Sequence, residues 1–84
     1  MTERLIWAFQ QPIIADSSKL PYEVDITRVA NREYLEQLVV NNCWIAQRYL
    51  VSGYNHRENI PWHKEIIRFQ NHRHAIEFKL RIEY

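Results

Sequence analysis

A chain of 84 residues with 46% hydrophobic and 25% charged side chains is one globular domain, 1–84, and not a disordered or low-complexity segment. One Gly and one Cys exclude a phosphate-cradling loop, a dinucleotide fingerprint, a zinc knuckle and an internal disulfide, so no cofactor and no metal centre is expected. The net charge of +1 conceals four basic and six acidic residues in 1–42 against seven basic and four acidic residues in 43–84.

No apolar run approaches the ~20 residues of a membrane span. Glu3 and Arg4 interrupt any signal-like start, and a lone Cys43 fits a reducing, cytoplasmic setting.

Leu5, Trp7 and Phe9 fall on one side at period two, which predicts a strand over 4–10 that stops before Pro12. Asp16, Ser17, Ser18 and Lys19 form a turn-like stretch. Tyr22, Val24 and Ile26 then alternate with Glu23 and Asp25, a second strand over 22–26. Asn31 has the side chain of a helix N-cap, and Glu33 favours the positive end of the helix dipole. Neither Gly nor Pro occurs from Arg32 to Ser52, so one helix is expected over 32–52, with Gly53 ending it. Its core stripe would hold Leu35, Leu38, Ile45 and Tyr49, with Cys43 as core packing and Asn42 an odd polar residue within the stripe.

Residues 54–63, with Pro61, read as a loop, and 64–70 as a weakly alternating third strand. Residues 71–74 read as a hairpin connection. Ile76, Phe78, Leu80, Ile82 and Tyr84 alternate strictly with charged residues, which predicts a fourth strand over 76–84. The order β-β-α-β-β implies an α+β fold: an antiparallel four-stranded sheet with one long amphipathic helix packed on one face. At a sheet edge, the last strand would offer its backbone to a partner's sheet.

Two surfaces carry candidate function. On the expected helix, Val40, Trp44 and Val51 fall within about 40° of one another at ~100° per residue, beside Gln47 and Arg48. A Trp flanked by Val on a polar face suits a contact with another protein or a second copy of the chain. A loop folded over that face would bury Trp44 instead. The second surface interleaves cations, aromatics and histidines: Tyr54, His56, Arg57, Trp62, His63, Lys64, Arg68, His72, Arg73 and His74. Such a mixture neutralises phosphates and stacks bases, or meets an acidic protein. Its histidines would add positive charge on acidification.

His72 and His74 lack a third ligand at zinc-type spacing. Glu58 or Glu65 as base, His63 or His72 as acid and Arg68 as phosphate clamp supply parts for RNA cleavage, but in no motif. No catalytic residue is assigned. The sequence therefore reads as a small non-enzymatic binding protein, an adaptor, inhibitor or assembly subunit acting on another protein. The alternative is a nucleic-acid-binding module or small RNA-cleaving toxin using 54–74.

Overall fold

The computed structural model describes residues 2–9 and 13–82. In chain order it contains β1 (Thr2–Ala8), a 3-10 turn (Ser17–Lys19), β2 (Tyr22–Asp25), α1 (Arg32–Asn41), β3 (Ala46–Asn55), β4 (Ile60–Phe69) and α2 (His72–Ile82). The strands form one antiparallel four-stranded sheet in the order β1-β3-β4-β2. The fold is α+β as expected, with four corrections. The long helix is a shorter helix followed by a strand, and a second helix stands where the fourth strand was expected. Most of the expected loop 54–63 belongs to two strands joined by a tip at 56–59, and the expected hairpin connection 71–74 is the start of that second helix. The parts of the expected end strands that involve Gln10, Pro12, Glu83 and Tyr84 lie outside the described residues.

α1 starts as its sequence predicts, with the Asn31 carboxamide oxygen accepting from Tyr34 N at 3.0 Å. It stops ten residues later. Cys43 N–H donates to Val40 O at 3.1 Å and Trp44 N–H to Val39 O at 3.2 Å, while Cys43 takes a left-handed φ of 55°. This is the paired hydrogen-bond closure of a helix C-terminus, with a cysteine at the position glycine usually holds. Asn42 completes it, its amide donating to Leu38 O at 2.7 Å. Cys43 is exposed, so its expected core role is corrected.

Beyond the turn the chain runs straight into β3, the strand between β1 and β4. α2 opens with Asn71 as its cap, the side-chain oxygen accepting from Arg73 N at 2.9 Å. Lys79 and Arg81 occupy its last turn, where cations favour the negative end of the dipole.

Both helices cover one face of the sheet. Val24, Ile67, Phe69 and Ala46 meet Leu35, Leu38 and Val39 of α1 and Ala75 and Phe78 of α2, with Trp44 buried among them. The Trp44 ring meets Phe69 and Phe78 edge-on and stacks on His74. On the other face Tyr49, Val51 and Ile66 form a smaller core with Leu5.

β1 and β2 follow one another in sequence yet flank opposite sides of the central β3–β4 pair. The chain between them must therefore cross the sheet. Gln47, fully buried on the second face, fastens that crossing. Its side-chain oxygen accepts from Ile14 N at 2.7 Å, and its amide donates to Ile14 O at 2.9 Å and to the Tyr49 hydroxyl at 2.5 Å.

Gln47→Leu keeps the volume but strips Ile14 of both partners, so stability should fall by about 1–3 kcal/mol in urea denaturation. Cys43→Gly removes the left-handed strain and should raise stability by about 0.5–1 kcal/mol in the same assay.

Candidate functional site

β3 and β4 are each ten residues long and pair over their full length, from Ala46↔Phe69 to Asn55↔Ile60. Their flanking strands are shorter. The last rung of β1 joins Thr2 to Ser52, and β2 reaches no further than Ile66. Among the described residues, 53–63 therefore form a two-stranded arm without a third strand.

A two-stranded hairpin is marginal alone in water, and this one is held by local devices. The Asn55 side-chain oxygen accepts from Arg57 N at 3.0 Å and Glu58 N at 3.3 Å, which shapes the loop. Asn59 leaves it at φ 57°, a conformation asparagine tolerates, and the Tyr54 hydroxyl donates to its side chain.

Gly53 sits directly opposite Trp62, and a Cβ at Gly53 would overlap the indole ring. Gly53 thus seats the ring of Trp62, and does not end a helix as the sequence suggested. Its φ is not positive; the reason for glycine here is close approach. Trp62 remains 38% exposed, Tyr54 45% and Ile60 51%. Tyr54 also packs against His56 at 5.1 Å between ring centroids.

The arm brings together Tyr54, His56, Arg57, Trp62 and His63 of the second sequence-derived surface, with Lys64 at its base. The remaining members are elsewhere. Arg68 lies on the second sheet face, its guanidinium held by Glu3 at 2.5 Å with Glu23 at 3.6 Å, and stacked over Tyr49. The Glu3 hydrogen bond pushes the Arg68 pKa further up, and burial raises that of the Tyr49 hydroxyl.

His72, Arg73 and His74 form the first turn of α2, at the opposite end of β4, about 30 Å from the arm's tip at the usual strand rise. There His72 packs on Tyr22, Arg73 pairs with Glu77 at 3.3 Å, and His74 stacks on Trp44. No group of three His, Cys, Asp or Glu side chains converges among the described residues.

The first sequence-derived surface is dispersed. Val40 is exposed on α1, but Trp44, Gln47 and Val51 are buried, the last on the second sheet face. Arg48 is committed to an ion-pair network in which Glu65 takes both Arg48, at 2.7 Å, and Arg32, and Glu36 adds a contact at 3.5 Å. These five residues shared a face only on a helix that ends before four of them. The expected edge strand at 76–84 is likewise corrected: the sheet edges are β1 and β2. Glu65, considered as a base, is the hub of the ion-pair network.

Sequence reasoning missed Ile60, on the exposed side of the arm. The signal was an Asn-bounded tip, Asn55 to Asn59, with Tyr54 before it and Ile60 and Trp62 after it, which 54–63 carries in spite of its polarity. Compared with known protein families, curated proteins and solved structures, the chain matches none.

Gly53→Ala must displace the Trp62 ring. It should lower the thermal midpoint by several degrees and shift Trp62 fluorescence, whereas Ser52→Ala one residue away should do neither.

Proposed function

We propose that this chain acts by binding another protein through the β3–β4 arm and carries out no chemistry of its own, as an adaptor, inhibitor or assembly subunit. One observation carries the reading: Tyr54, Ile60 and Trp62 stand more than a third exposed on an arm that contributes nothing to either core. Ile60 and Trp62 share one face of the arm and Tyr54 stands on the other, and large side chains held in defined positions are what a partner's pocket receives at an interface centre.

Charge favours a protein over a nucleic acid. Within 53–63 the formal charges are Arg57 and Glu58, which cancel, whereas a nucleic-acid arm needs an excess of cations along the phosphate track. Arg68, the strongest candidate phosphate contact in the sequence, is already taken by glutamates. A reducing, cytoplasmic setting goes with the reading, since Cys43 is exposed and unpaired. No helix among the described residues is long and apolar enough to cross a membrane.

Affinity capture with the wild-type chain and with Tyr54→Ala, Ile60→Ala and Trp62→Ala, read by mass spectrometry and by absorbance at 260 and 280 nm, tests this. A protein should be captured whose purified form binds Trp62→Ala and one other variant roughly tenfold or more weakly. A captured nucleic acid with steep salt dependence would overturn the proposal, as would a partner indifferent to all three substitutions.

A further inference from the structure

The strand β2 is an open edge, and the hydrogen-bond phase of the sheet shows which of its groups are free. Ile26 N–H donates to Glu65 O at 2.9 Å, and on the other side of β4 Gln70 N–H donates to Ile45 O at 3.1 Å. Backbone groups alternate in direction along a strand. With the register Tyr22↔Phe69 and Val24↔Ile67, residues 22, 24 and 26 turn theirs toward β4. Glu23 and Asp25 therefore present N–H and C=O outward, with no strand against them among the described residues.

Beside that edge runs α2, and the two do not close on one another. A cavity of 330 Å³ opens between Tyr22 and Val24 on one side and Ala75 and Ile76 on the other. A second, of 410 Å³, shares Glu23, Val24 and Lys79 with the first and continues toward Ile82. Together they make one open groove parallel to a free strand edge.

Its charge is specific. Lys79 borders both cavities and has no ion-pair partner among the described residues, while Arg28 lines the second beside Asp25, whose charge it partly offsets. The Glu23 carboxylate points to the other face, toward Arg68.

We propose that this groove binds an extended segment of a partner protein as a fifth strand on β2. The main chain of the segment pairs with Glu23 and Asp25. Side chains of one parity enter the groove, apolar against Tyr22, Val24 and Ile76, and acidic where they meet Lys79. Side chains of the other parity lie beside the Glu23 and Asp25 carboxylates and are neutral or basic, because like charges directly opposite one another destabilise a sheet. The same rule speaks against a second copy of β2 in this place. A twofold pairing centred on Val24 sets Glu23 opposite Asp25 twice. Strand addition of this kind draws affinity from the main chain and specificity from alternate side chains, and the site is separate from the β3–β4 arm.

The test pans a phage-displayed library of random linear decapeptides on the folded chain and follows the enriched peptides by amide exchange and by titration. The expected peptides carry Asp or Glu among apolar residues at one parity and neither at the other, and they slow exchange at Glu23 and Asp25. Lys79→Ala should weaken them roughly three- to tenfold. Ile76→Glu, at a position already 46% exposed, should abolish binding, and Trp62→Ala should leave it unchanged. Methylation of alternate peptide amides should weaken binding in one phase and not in the other.

Absence of enrichment would overturn the proposal. So would peptides that ignore both groove variants, peptides whose protection falls on the arm, or a chain found by light scattering to be a dimer that protects β2 without peptide.

Discussion

The buried carboxamide of Gln47 holds the one part of the chain path that strand pairing cannot hold. β1 and β2 never touch, because the β3–β4 pair stands between them. Whatever joins them must cross the sheet without being part of it. A single polar side chain with three hydrogen bonds does this from inside the sheet, by reading the backbone of Ile14 on both its donor and its acceptor. Burying an amide is costly unless its groups are satisfied, and here oxygen and nitrogen both are. With the second face partly closed in this way, the helices are left free to cover the first. Among the described residues, the far end of the central hairpin and the outer edges of β1 and β2 lie beyond both layers.

The division of charge between the two halves of the sequence acquires a different sense in three dimensions. Arg68 and Arg48, from the basic half, reach Glu3, Glu23 and Glu36 of the acidic half, and Arg32 reaches back to Glu65. The two halves are interleaved strands of one sheet, so opposite charges that are distant in sequence become neighbours. Arg68, one of the four cations of the apparent basic patch, is thereby committed to internal acids and unavailable to a polyanion. The ion pairs are partly buried, and Glu65, shared by two arginines, ties α1 to β3 and β4.

The start of α1 was legible because Asn31 acts locally, through a bond three residues away. Its end was not, because the left-handed position is filled by Cys43 and no glycine or proline marks it. β3 then escaped notice because its most buried parity, Gln47, Tyr49 and Val51, opens on a polar residue, while Ala46 and Leu50 put apolar residues on the other parity, so the hydropathy does not alternate. α2 was misread for the opposite reason. Ile76, Phe78, Leu80 and Ile82 alternate perfectly with charges, but wound into a helix only some of them point inward: Phe78 is fully buried, while Ile76 is 46% and Leu80 52% exposed. Outward-facing apolar residues are a conflict between local pattern and packing, and such conflicts gather where a surface is kept for another molecule. Ile76 lines the groove beside β2. Of the candidate surfaces, residues 54–63 stay together because they are contiguous along a hairpin, whereas the helix-face set depended on a periodicity that the chain abandons at Asn41.

The strand order β1-β3-β4-β2 also imposes a schedule on synthesis. A ribosome makes the two outer strands first and the central pair last, so everything up to Ile45 leaves the tunnel before the hairpin it must flank exists. α1, capped locally, draws its backbone hydrogen bonds from its own residues, whereas β1 and β2 need partners made later. β1 and β2 wait as unpaired segments, with Leu20, Val24 and Ile26 uncovered, until β3 and β4 close against each other. That closure is local and fast, and docking of the outer strands is long-range and slower. The interval between them is when this chain is most open to capture by chaperones or by copies of itself.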